Sequence, residues 1–116
     1  MSNSWTITDP DSTVELEDGP PLPPIHPGEM LRDDFMPDMG LSTETLAAAM
    51  GVSSDHLQAI LDEQAPITGE DSVRLGHAFD MTDGFWMRLQ NHYDIELAKR
   101  RLAGALDHLP ILHAAE

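Results

Sequence analysis

LSTETLAAAMGVSSDHLQAILDEQAPIT, running from Leu41 to Thr68, is the stretch whose reading decides the fold. Its apolar residues fall into two sets at helical spacing. Leu46, Ala47 and Met50 recur at i, i+1 and i+4, and Leu57, Ile60 and Leu61 at i, i+3 and i+4, so each set makes one buried face. Ser42 and Ser53 stand just before the two segments, where a side-chain oxygen can accept from the free amides of a first helical turn. Gly51 lies between them and can take the left-handed conformation that closes the first helix. Two short helices across a tight turn are the outline of a helix-turn-helix.

Toward the N-terminus, His26-Pro27-Gly28-Glu29 opens the folded part, with Pro27 suited to a first helical turn and Glu29 well placed against the helix dipole. Leu31 and Phe35 form an i, i+4 apolar pair, Pro37 is expected to end this first helix, and Asp38-Met39-Gly40 reads as a turn. On the other side, Thr68-Gly69-Glu70-Asp71 resembles a capping box with Asp in place of Glu, and Ser72, Leu75, Gly76 and Phe79 carry the helical period. The small Ser72 and Gly76 imply close backbone packing. Thr82 is expected to cap a fifth helix whose core side holds Phe85, Trp86, Leu89 and Tyr93. The same spacing continues through Ala98, Leu102, Ala105, Leu106 and Leu109. Gly104 weakens this helix and Pro110 stops it, so its end is expected between Arg101 and Leu109. Beyond it, the apolar stripe either marks a dimer contact or folds back to complete the core. The reading is an all-α, five-helix domain over residues 26–101, with 102–116 as a helical extension or tail.

Residues 1–25 carry Asp9, Asp11, Glu15, Glu17 and Asp18 with no Lys or Arg, then Pro20, Pro21, Pro23 and Pro24. Trp5, Ile7, Val14, Leu16 and Leu22 bury too little to offset ordering entropy, so a disordered acidic tail is expected. It serves either as a solubilising tail or, through residues 5–7 and 14–16, as strands added to a partner's sheet edge.

A length of 116 residues at 41% hydrophobic content suits one small domain. No apolar run approaches the roughly 20 residues of a membrane span, and there is no signal-like N-terminus, so a cytoplasmic protein is expected. The absence of cysteine excludes disulfides and thiolate chemistry. Twenty-one acids against six cations give a net charge of -15, which opposes binding through phosphate neutralisation. Half of the cations sit together in Lys99-Arg100-Arg101, read as a solvated helix end that complements the dipole. The balance favours basic protein partners, high solubility or adaptation to a salty interior.

Other chemistries lack their residues. His56, His77, His92, His108 and His113 are scattered, and only His77 with Asp80, or His92 with Glu96, has helical ligand spacing; a structural zinc site needs four ligands. No Gly-rich phosphate loop, nucleophile elbow or isolated carboxylate pair is present. No catalytic residue, metal or cofactor is therefore assigned, and an enzyme is not expected. Trp86 and Tyr93, on one helical face, read as core, and the methionines as adaptable filling for a core or a partner face.

HPGEML at 26–31, GLS at 40–42, LAAAMGVS at 46–53, PIT at 66–68 and FWMRLQNHYD at 85–94 together resemble the HigA-type antitoxins within the Xre/Cro helix-turn-helix class. The resemblance covers residues 26–94. It implies a five-helix, lambda-repressor-like domain that dimerises, binds a pseudo-palindromic operator near its own promoter, and neutralises a basic toxin that cleaves messenger RNA. The second helix of the motif would enter the major groove, with Ser53, Ser54, Asp55, His56 and Gln58 toward base edges and Thr43 near the backbone. Gln58 could read adenine, Ser54 a base or phosphate, and Asp55 a cytosine amino group. The amides and hydroxyls at Ser42, Thr43, Ser53 and Thr68 could hold phosphates.

This sequence departs from the family pattern where relatives commonly carry Arg, Gln or Lys, having Ser54, Asp55 and His56, and it has the acidic loop Asp62-Glu63-Gln64-Ala65 after the reading helix. A carboxylate about 6 Å from a phosphate costs roughly 0.7 kcal/mol even in bulk water. Two readings stand: a dimeric operator-binding antitoxin and autoregulator, or the same fold kept as an acidic protein-interaction module with weak or no DNA binding.

Overall fold

The computed structural model describes residues 23–114, and the expected tail therefore lies, up to residue 22, outside the described residues. Five helices carry the fold. We label them α1 (residues 27–39), α2 (Thr43–Met50), α3 (Ser54–Leu61), α4 (Gly69–Phe79) and α5 (Phe85–Arg101). A short 3-10 turn, Leu106–His108, follows, and no strand occurs among the described residues.

The chain enters α1 through His26, whose Nδ1 accepts from the Gly28 amide at 2.8 Å, so an imidazole takes the role usually filled by Ser or Asp. Pro27 occupies the first turn, where its missing N–H costs nothing. A side chain at Gly28 would collide with the Ile60 carbonyl, so the start of α1 packs backbone to backbone on α3.

Pro37 does not end the first helix. Pro27–Met30 is followed by a wide π turn over Leu31–Phe35 and then by Met36–Met39, in which Pro37 sits near the start. Proline inside an α-helix removes one amide bond and its ring crowds the carbonyl four residues back. Here the Met36 amide instead reaches the Leu31 carbonyl, five residues back, and the helix runs on to a left-handed Gly40.

The central pair forms for the expected local reasons. Ser42 Oγ accepts from the Thr45 amide at 3.1 Å, Ser53 Oγ from the His56 amide at 3.0 Å, and Gly51 closes α2 at φ 77°. Leu46, Ala47 and Met50 from α2 and Leu57, Ile60 and Leu61 from α3 are buried, and join Leu31, Met36, Ile67, Leu75 and Trp86 in one core. Each large member contributes about 1.5–3 kcal/mol of transfer free energy on burial. Around Trp86 stand Phe35, Phe79 and Phe85, with ring centroids 4.9, 6.1 and 5.2 Å away. Tyr93 is half-buried, its ring edge-on to His26 at 4.9 Å.

The capping box at Thr68 and Asp71 is complete. Gly76 lies where an added Cβ would meet the Thr82 and Met81 carbonyl oxygens at 2.9 and 3.2 Å, so α4 and the turn before α5 pack as closely as the small residues imply. Thr82 is not the cap of α5. The helix starts one turn of chain later, after Gly84, and a residue from α4 supplies the cap: Ser72 Oγ accepts from the Met87 amide at 3.0 Å and donates to the Asp83 carbonyl.

At the far end α5 stops at Arg101, the near limit of the expected window. The chain beyond does not fold back to complete the core, since Leu102, Leu106, Leu109, Ile111 and Leu112 are all exposed. No helix of the described residues is long and apolar enough to cross a membrane.

Candidate nucleic-acid interface

The exposed side of α3 follows from its period. Leu57, Ile60 and Leu61 face the core, so Asp55, Gln58 and Asp62, at i, i+3 and i+7, share the opposite side. Ser54 is half-buried at the first helical position, and Asp55, His56 and Gln58 are exposed. Thr43, half-buried, opens the preceding helix beside its cap Ser42.

Three of the expected site residues meet around one buried carboxylate. Asp71, only 3% exposed, accepts His56 Nε2 at 2.7 Å through Oδ1. Its Oδ2 accepts the Thr68 amide at 3.0 Å and the Thr68 hydroxyl at 2.9 Å. Ser53 is tied to the same corner through the His56 amide. Burial pushes the Asp71 carboxyl up, yet the bonds from His56 and from both donors of Thr68 outweigh it and hold the group below its usual range. The Thr68 hydroxyl hydrogen is thus committed to Asp71. Ser53, with its oxygen accepting an amide, keeps its own hydrogen for a ligand. Thr43, Ser54 and Asp55 stand outside this network.

One acid beside this surface is compensated by a cation, Glu63, which accepts from Arg32 at 3.2 Å. Asp62 accepts from the side-chain amide of Gln58 at 2.9 Å, a neutral donor that brings no counter-charge. Arg32 also donates to the Leu61 carbonyl at 2.8 Å, the last of α3, which holds the turn where Glu63 takes φ 62°. Arg74 repeats the arrangement at the end of α2, with Nη1 on the Met50 carbonyl at 2.8 Å and Nη2 on Glu70 at 2.8 Å. Two of the six cations therefore close the two helices of the motif at their last carbonyls, and Arg74 shares a surface concavity with Ser53, His56 and Thr68. Between residues 41 and 68 there is no Lys or Arg.

Some residues of consequence escape a reading by sequence. Asp71 is visible as a capping partner, but nothing local shows that it is buried or that it reaches His56 fifteen residues away. Gln90 is buried, accepts the Ile67 amide at 2.8 Å and donates to Asp94 at 2.9 Å. Its signal was present, because it stands one turn after Trp86 on the core stripe. Burial pushes His26 below the ordinary histidine value despite the opposing pull of Glu63 and a hydrogen bond with the Ala65 backbone. His92 and Glu96 line a cleft with Pro23, Pro24, Met30 and Leu89, away from α3. Among the described residues no three His, Asp or Glu side chains gather as a metal site.

Comparison with known proteins agrees on the kind of molecule. No protein-family model matches the chain. Virulence-associated protein I of Dichelobacter nodosus is 38% identical over 79 residues, 68% of this chain and 73% of that protein. Antitoxin HigA-1 of Vibrio cholerae is 31% identical over 72 residues, 62% of this chain and 68% of the relative. The antitoxin HigA of Pseudomonas aeruginosa, solved with its higBA promoter, superposes at a TM-score of 0.72 with 36% identity, covering 78% of this chain and 99% of that one.

Proposed function

Since the chain belongs to the HigA-type antitoxins of the helix-turn-helix class, we propose that it is a dimeric operator-binding antitoxin that represses its own promoter in the cytoplasm. In this reading α3 enters the major groove. Ser54, Asp55, His56 and Gln58 meet base edges. Ser53, Thr43 and the amides opening α2 and α3 meet phosphates, and Thr68 acts at the rim by holding Asp71 against His56. The acidic surface then takes a basic, messenger-RNA-cleaving toxin, whose Lys and Arg complement it.

The observation that carries this reading is the pairing of the acids around α3. Glu63 is bound by Arg32 and Asp71 is buried against His56, which leaves Asp55 and Asp62 as the carboxylates on the outer side of α3. The repulsion from phosphate is correspondingly reduced. With few cations on the face, few counterions are released, so affinity should depend on salt more weakly than for a basic regulator.

The test is a titration of purified protein on its own upstream DNA from low to high salt. Specific retardation with a shallow salt slope, weakened in Gln58→Ala and Ser54→Ala, supports the regulator. The absence of any specific shift at every salt would reject it and leave the acidic interaction module. Co-purification with a short basic chain encoded beside it tests the toxin arm.

A further inference from the structure

Gln58 and Asp62 stand one turn apart on the exposed side of α3, and Gln58 Nε2 donates to Asp62 Oδ1 at 2.9 Å. An ionised carboxylate only accepts, so the half of the amide turned toward Asp62 must be the NH2 half. A free glutamine has no such constraint. By turning its amide over, it can offer an acceptor to the amino group of adenine or cytosine, or a donor to the carbonyl oxygen of guanine or thymine.

We infer that Asp62 fixes this choice, and that Gln58 presents Oε1 to the operator and reads a base bearing an amino group in the major groove, adenine or cytosine, against one bearing an oxygen there. The inference rests on the operator-binding reading. Asp62 acts through Gln58 and is a positioning residue. The pair survives contact with DNA because turning the amide over would leave a carboxylate without a donor where water has been displaced. The neighbouring Asp55 is likewise an acceptor, and α3 has no Lys or Arg to seek guanine, so its outer side favours amino-bearing edges.

The experiment scans the operator with pairs that swap the amino and oxygen groups across the major groove, C·G for U·A and A·T for hypoxanthine·C. Gln58→Ala locates the position that Gln58 reads. There the wild type should prefer the amino base about tenfold, within the range of a good base contact. Asp62→Glu should keep the preference. Asp62→Asn, which accepts or donates, and Asp62→Ala should reduce it to about twofold at most, by the same loss of a fixed contact. Both neutral variants also raise affinity for any DNA by removing a charge, but that gain cancels in the ratio within each protein.

An unchanged ratio in Asp62→Asn and Asp62→Ala would overturn the inference while leaving operator binding intact. No binding by the wild type would overturn the parent reading as well. The pair itself is read in the free protein by nitrogen-edited NMR. At a single pH the Gln58 side-chain amide signal should lie at different positions in the wild type and in Asp62→Ala; identical positions would overturn the pairing directly.

Discussion

Asp71 reaches back from α4 to hold His56, its Oδ1 2.7 Å from Nε2, so the first turn of α3 is fixed by the helix that follows it. The same carboxylate completes the cap of α4 through Thr68. Asp71→Ala should therefore cost about 2 kcal/mol of stability, the sum of a lost cap and a lost charged hydrogen bond. It should also weaken operator binding more than Thr68→Ala does. Urea denaturation and gel retardation on the two variants check both statements. Because the Asp71 carboxyl lies below its ordinary value in the folded chain, its stabilisation is present above the unfolded carboxylate range and is lost as pH falls through the folded value.

The Ser72 hydroxyl serves the Met87 amide of the next helix and the Asp83 carbonyl in the turn before it. Ser72→Ala leaves both unpaired in a tightly packed contact. A loss of about 1–2 kcal/mol is expected, in the range of a missing N-cap. Thr82→Ala, at the position that looks like the cap, should cost less than half of that, and thermal melts of the two variants decide the order.

His26 is kept neutral by burial and by accepting the Gly28 amide. Its folded value lies below the unfolded value of about 6.5. Above that point both states are neutral and nothing is lost. As pH falls below it, the unfolded chain takes up the proton first, so stability declines until the folded group also protonates. His26→Asn retains a capping acceptor and cannot titrate. Its urea midpoint should therefore vary less between pH 7 and pH 5 than the wild type's, by an amount set by this one proton.

Gly40 and Gly51 both have positive φ, 64° and 77°, yet their surroundings differ. An added Cβ meets nothing within 4 Å at Gly40, whereas at Gly51 it would lie 2.9 Å from Arg74 Nη1. Gly40→Ala should cost about 1 kcal/mol, the left-handed penalty alone. Gly51→Ala should cost about 2–3 kcal/mol, because it also displaces the guanidinium from the Met50 carbonyl. Chemical denaturation separates the two.

Local chemistry made most of the frame readable. Ser42, Ser53, Thr68 and Gly51 act on amides within three or four residues, and the buried faces of α2 and α3 follow from spacing alone. The misreadings came where the deciding partner is distant or where one local rule meets another. Pro37 signals a helix end until a wide turn upstream relieves it, and Thr82 signals a cap until Ser72 arrives from another helix. On the candidate interface, residue types were legible, but their pairing was not. Asp62 and Glu63 read as an unshielded acidic loop and Asp71 as a local cap, while their partners Gln58, Arg32 and His56 sit up to thirty-one residues away.

Arg32 and Arg74 end the two helices of the motif, each with one nitrogen on a final carbonyl. The outward residues Ser54, Asp55 and Gln58 take no part in that closure. The frame and the text it carries are therefore separable. Side chains on the outer face of α3 can be rewritten as a set, as in a graft of another regulator's reading residues, without touching the joints that fix the helix in space.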